Sequence, residues 1–294
     1  MGGRVGPERL TIQLLGTPRV AVGARPLALS PGASLLCAYL ALAPREGRSR
    51  AIAASQLFDD CPESTARRRL STALWRLRTE VRALAGVDIV EAHGNQSVGL
   101  SRDAALSVDT DEFEALVGPV VAQPASELSK ADAERLARAV TLHRGQLVEP
   151  CHDAWVLTER QRIEDLYLTA LDYLVQYYGA RAEAGAAAKF GDLALGLEPL
   201  REDVHRHLMA AFATAERPDL VDAQFERCRR VLLDELGAEP MPETVALYAR
   251  LTRGDRHAPS SADALVKDLE QARREISRLS SIVDRALERL GRMS

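Results

Sequence analysis

The sequence predicts a mainly α-helical protein with a small β component near its N-terminus. Three observations carry this. Apolar residues alternate with period two only before Ser30 and again around residues 89–100, they recur at helical spacing almost everywhere else, and a seven-residue repeat occupies the C-terminal stretch. The chain has 294 residues, 46% of them hydrophobic, enough for more than one folded domain with real cores.

The first elements are strands. Leu10, Ile12 and Leu14 alternate with polar neighbours, Gly16-Thr17-Pro18 turns the chain, and Val20 and Val22 resume the alternation. After the turn at Gly23 to Pro26, Leu27 and Leu29 form a third short strand of a small antiparallel sheet. Ser30-Pro31 reads as an N-cap and a first-turn proline, opening a helix with Leu35, Leu36, Tyr39, Leu40 and Leu42 apolar and an end near Pro44. A second helix, Arg50 to Phe58, presents Ile52, Leu57 and Phe58.

The third helix runs from Ser64 to Leu84. Leu70, Leu74, Leu77, Val81 and Leu84 form one apolar stripe, which turns Arg68, Thr72, Trp75, Arg76 and Thr79 to the opposite side. Ser64 to Arg82 holds six arginines against the single acid Glu80, a local net charge of +5. Solvated helices ordinarily mix their signs, so this clustering points to a polyanion. Arginine suits that role because its planar fork matches guanine or phosphate and keeps its charge. Ser64 is the expected N-cap, leaving the first amide hydrogens open to an anion. Ile89-Val90 and Val98 to Leu100 then flank His93-Gly94-Asn95, a hairpin turn. Three helices with the third basic, followed by a hairpin, make a winged helix, whose third helix enters the major groove.

The charge is divided accordingly. Residues 1–109 carry 14 Arg and no Lys against 10 acids, a balance of +4, and the remainder is at −8, for the overall −4. Only the first part is built to approach nucleic acid. Arg68, Thr72, Trp75, Arg76 and Thr79 are the base-facing candidates, and Ser64, Arg67, Arg69, Arg82, His93, Asn95 and Gln96 those for phosphate or minor-groove contact. Trp75 has an alternative use, packing against the helical domain or a polymerase subunit.

From Asp111 the chain reads as helical: Phe113, Leu116, Val117 and Val120, then Ala131 to His143, then a long segment from Trp155 to Tyr178. Two later stretches resemble each other, one reaching Leu197-Glu198-Pro199 and the other Ala238-Glu239-Pro240, offset by 41 residues. Helix pairs of this kind are similar to tetratricopeptide repeats, whose period is near 34 residues. Residues 254–262 have linker composition. Leu265, Leu269, Ala272, Ile276, Leu279, Val283, Ala286 and Leu290 then recur at alternating spacings of four and three. That seam either pairs two chains into a homodimer or docks on the same chain, and Ile282 and Leu287 broaden it beyond a two-stranded stripe.

Residues 10–109 resemble the OmpR-type winged-helix domain. The segments SPGASLLCAYLAL, AIAASQLFDD and STARRRLSTALWRLR, then VDTDEFEALV and GQLVEPCHDAWVLTERQRIEDLYLTAL, in this order resemble the actinobacterial antibiotic regulatory proteins, the SARP family. There a bacterial transcriptional activator domain follows the winged helix. The resemblance covers about residues 10–253 and implies an activator that binds directly repeated promoter sites near the −35 region. It further implies contact with RNA polymerase holoenzyme, including its σ factor, and control of antibiotic or other pathway-specific genes. It implies the domains 10–109 (DNA-binding) and 110–253 (activator); it says nothing of the linker 254–262 and the heptad helix 263–292, which rest on composition and periodicity. The competing reading is a regulatory scaffold that works through its helical repeats and C-terminal helix, with DNA binding secondary.

No catalytic constellation is expected. The sequence lacks a GxxxxGK[ST] loop, a GxSxG elbow, an HExxH helix and a GxGxxG fingerprint, so no enzyme and no cofactor are indicated. Cys151-His152-Asp153 are neighbours in sequence, which rarely converge on one substrate. His205 and His207 point about 200° apart on a helix and would not share a metal. The four cysteines lack CxxC spacing and read as buried thiols, with no metal site. No signal peptide or membrane-length apolar run is seen, so a cytoplasmic, nucleoid-associated protein is expected.

Overall fold

The computed structural model describes residues 9–44, 46–94, 96–101, 106–149 and 151–253. The linker and the heptad seam from Leu265 to Leu290 lie outside them, as do Asn95 and the side chain of His93. The chain divides into two compact units, one through Pro240 and one from Met241.

The predicted strands form as β1 (Leu10–Gln13), β2 (Arg19–Val22) and β3 (Arg25–Leu27), the last taking in Arg25 and Pro26 of the expected turn and ending before Leu29. Leu10, Ile12, Val20 and Val22 are buried, as their alternation requires. After them come α1 (Pro31–Ala41), a two-residue strand β4 (Arg48–Ser49), α2 (Arg50–Leu57) and α3 (Glu63–Ala85). The wing is β5 (Val90–His93) and β6 (Ser97–Leu100), paired antiparallel, with β4 on the other edge of β6. Strand β7 (Leu106–Val108), which alternation did not reveal, returns beside β1 in parallel and completes the sheet order β3-β2-β1-β7.

Two details differ from expectation. The buried face of α2 is Ala53 and Ala54, whereas Ile52 is 52% exposed. Small side chains let α2 lie close to α3, and the larger isoleucine turns out to solvent. Helix α3 starts two residues earlier than Ser64 implied, with Pro62 as its N-cap, so the amides of Thr65 and Ala66 already bond to the Pro62 carbonyl. Ser64 therefore caps nothing.

The helical segment comprises α4 (Asp109–Val121), α5 (Lys130–Leu142), α6 (Ala154–Gly179), α7 (Ala184–Leu197), α8 (Glu202–Thr214) and α9 (Pro218–Leu236). Ser129 and Asp132 form a reciprocal capping box at the start of α5. Helix α9 begins 34 residues after α7, Pro218 against Ala184, which is the tetratricopeptide period. The 41-residue offset of the prolines arises because α9 has 19 residues against 14 in α7 and a longer turn follows it. Gly179 admits Ala211: a Cβ there would lie 2.8 Å from the Ala211 Cβ. In the second unit, α10 (Pro242–Thr252) opens with proline in its first turn.

The winged helix and the helical segment share one core within the first unit. Asp109, the first residue of α4, is buried and accepts the amide hydrogens of Leu14 (2.8 Å) and Leu15 (3.1 Å) just beyond β1. Burial pushes its carboxyl up, opposed by those two amides and by Arg144 at 3.3 Å. Val148 donates to the Leu14 carbonyl and Arg144 to that of Leu15, so the 144–149 loop runs as a short extension of the sheet. Arg160 holds that loop by donating to the carbonyls of Leu147, Val148 and Cys151. Tyr39 of α1 is fully buried, edge-on to Trp155 of α6 at 5.0 Å, and donates to Gln56 of α2 at 2.7 Å.

Candidate nucleic-acid interface

Helix α3 buries Ala66, Leu70, Leu74, Leu77 and Val81, the predicted stripe with Ala66 added; Leu84, at 36% exposed, lies at its edge. Gly86 closes the helix with φ +72°, a left-handed cap that suits glycine. With the leucines inward, Arg68, Thr72, Trp75, Arg76 and Thr79 are all exposed, Trp75 at 65%. That exposure removes the alternative that Trp75 packs on the described part of the helical segment.

The six arginines are not equivalent. Arg67 pairs with Glu63, Arg69 with both oxygens of Asp60 (2.8 and 2.9 Å), and Arg82 with Asp88 (3.0 Å). Arg78 donates to the Val90 carbonyl at 2.9 Å, tying α3 to the first wing strand. The Asp60 carboxylate holds the Arg69 guanidinium above its ordinary range, and Arg69 holds Asp60 below its own. The guanidinium groups of Arg68 and Arg76 have no hydrogen-bond or acid partner among the described residues. Bare guanidinium groups on an outward helix face are free to meet base edges or phosphates without first breaking an internal pair. The hydroxyls of Thr72 and Thr79 donate back to the carbonyls of Arg68 (3.1 Å) and Trp75 (2.8 Å), leaving oxygen lone pairs outward.

The wing lies on one flank of this face. The Gln96 carbonyl accepts the Arg50 amide hydrogen at 2.7 Å, and Gly94 turns the hairpin at φ +66°. Arg50 Nη2 donates to Ser71 Oγ at 3.4 Å, and a cavity of about 430 Å³ lies among Ser49, Arg50, Arg67, Ser71 and Gln96. Sequence reading had not singled out Arg50 or Ser71; the position of Arg50 as first residue of α2 was the available signal. On the other flank, Arg68, Arg69, Thr72 and Arg76 face the start of α1 and the end of α2 across a cavity of about 560 Å³, with Leu36, Leu57 and Phe58 in its lining.

The remaining chemistry-bearing residues are engaged in structure. Asp153 accepts the Trp155 indole hydrogen at 3.1 Å as α6 begins. His207 bonds Asp172 at 2.6 Å, whereas His205 is buried between Gln224 and the Pro199 carbonyl. Burial pushes the Cys37 thiol up to about 12 and that of Cys228 to about 11, and Cys151 is buried as well, whereas Cys61, in the turn before α3, is only half-buried and departs from the expected set of four buried thiols. Among the described residues no helix is long and apolar enough to cross a membrane, and no group of His, Cys, Asp and Glu could hold a metal ion.

Comparison with known proteins places the helical segment. Residues 108–252 match the bacterial transcriptional activator domain, and no curated protein matches the chain. A solved structure of Mycobacterium tuberculosis EmbR, in complex with a low-affinity phosphopeptide, is similar over 92% of this chain and 71% of its own, with TM-score 0.70 and 21% identity. At that identity the likeness is one of fold. The chain thus carries a winged helix followed by a segment that matches the bacterial transcriptional activator domain, the order of domains that its resemblance to the SARP family implies.

Proposed function

We propose that the chain binds promoter DNA sequence-specifically, with α3 in the major groove, and activates transcription from there. The observation that carries this reading is the pair of unpartnered arginines, Arg68 and Arg76, on an exposed face shared with Thr72, Trp75 and Thr79. Arginine forks read guanine, and the outward hydroxyls and indole supply further contacts to base edges. Arg67, Arg69 and Arg82 trade their acids for phosphates on the duplex, and Ser64, His93, Asn95 and Gln96 complete the backbone and minor-groove contacts.

Binding to direct repeats near the −35 region, contact with RNA polymerase and its σ factor, and control of a secondary-metabolite or other pathway-specific gene cluster are what the resemblance to the SARP family implies. The helical segment supports a protein-contact role as well, since Leu193 and Leu197 are exposed along α7 and Leu200 just beyond it. This is also what favours the scaffold reading. The Leu265 to Leu290 seam is proposed as a homodimer contact, tested by sedimentation of the full chain beside one ending at Gly254: equal masses at micromolar concentration rule it out.

Selection of bound duplexes from a random-sequence pool, followed by titration of the winner across salt concentrations, separates the two readings. A DNA reader enriches a discrete sequence and loses affinity steeply, with a slope of about −0.9 per phosphate neutralised. A flat salt response with no enriched sequence supports the scaffold.

A further inference from the structure

Arg76 and Glu80 stand four residues apart on α3, the spacing at which opposite charges pair across one helical turn. Arg67 pairs with Glu63 at that spacing, and Arg69 and Arg82 reach acids beyond the two ends of the helix, Asp60 and Asp88. Arg76 makes no such pair: the carboxylate of Glu80 is turned instead toward the start of α1. Ser30 donates its backbone N–H to one carboxylate oxygen at 2.8 Å and its hydroxyl to the other at 2.7 Å. Ser30 is the N-cap residue of α1, with extended backbone, yet its hydroxyl makes no bond to the amides of its own helix. The usual capping bond is forgone and the hydroxyl is committed to the one acid within a turn of Arg76.

We infer that Ser30 is a positioning residue for DNA recognition, holding Glu80 away from Arg76 so that this guanidinium stays bare for the duplex. The inference rests on the reading of α3 as the base-reading helix. Ser30, Arg68 and Arg76 line the same cavity between α1 and α3, and a carboxylate released from Ser30 stands one helical turn from the guanidinium it would neutralise.

The test uses the full chain and the duplex that the wild type selects from a random pool. Ser30→Ala is expected to weaken binding about tenfold, the scale on which a single base-reading arginine acts. Glu80→Gln in the Ser30→Ala background restores wild-type affinity, because the neutral amide cannot quench Arg76. Ser30→Thr keeps the clip and binds as wild type. Unchanged affinity in Ser30→Ala overturns the proposal, as does a loss that persists in the double variant, which marks a structural effect on α1. A second readout needs no DNA: in the Ser30→Ala protein the Arg76 Nε–H, monitored by NMR, gains protection from solvent exchange as Glu80 closes on it. If that proton exchanges as fast as in wild type, the proposal fails. If instead the wild type selects no sequence while the protection appears, the DNA reading falls and the clip stands.

Discussion

At the scale of single residues, the difference between a paired and an unpaired arginine decides what each substitution should do. Arg76→Ala is expected to cost roughly 1 to 3 kcal/mol on the selected site and to relax base preference there. Arg67→Ala and Arg69→Ala should cost less and weaken all sequences alike, because each contact with phosphate is offset by the loss of Glu63 or Asp60. Gel-shift titration against selected and scrambled duplexes distinguishes the two patterns, and wild-type binding by Arg76→Ala removes that residue from the groove. The outward set was legible in the sequence because helical geometry alone turns residues opposite a leucine stripe to solvent. Which arginines are bare was not, since Asp60 and Asp88 sit in turns at either end of α3 and Ser30 lies fifty residues from Glu80.

At the scale of elements, close approach between helices is set by glycine and alanine. Gly179→Ala should destabilise by about 1 to 3 kcal/mol through overpacking on Ala211, despite the better helix propensity of alanine. Gly185→Ala and Gly196→Ala meet open space and should stabilise by a few tenths to about 1 kcal/mol. Urea midpoints of the three variants check the contrast; equal shifts for all three would show that packing at Gly179 is loose. The tetratricopeptide likeness was visible in the repeated small residues and prolines. Its true period was obscured because prolines mark helix ends, and α9 is longer than α7. Strands β4 and β7 escaped for a related reason. They have two and three residues, too short for alternation to register, and form only because partners from distant parts of the chain lie alongside.

At the scale of the whole molecule, the first unit joins a basic winged-helix part to an acidic helical part through buried polar contacts. That burial makes its stability respond to pH. His205 is enclosed, with Gln224 and the Pro199 carbonyl on its two ring nitrogens, and His143 stacks on Tyr167 at 3.9 Å; desolvation lowers the affinity of both for a proton. The unfolded chain therefore takes up protons first as pH falls through about 6.5, and stability declines from there toward the lower folded-state values. Urea midpoints at pH 7.5, 6.5 and 5.5 should fall in that order, and His143→Phe, which keeps the stack without titrating, should flatten the decline. A midpoint independent of pH across this window would place both rings in solvent.

The sequence by itself determined the order of the helices and longer strands through the wing, the inward stripe of α3 and the division of charge, because these follow from local periodicity and composition. Only the tertiary structure decided that the two parts share a core through Asp109, Tyr39 and Trp155, and that Arg68 and Arg76 are left bare among six arginines. The physical reason is reach: a carboxylate selects its partner by distance in space, and the residues that compete for it belong to other elements of the fold.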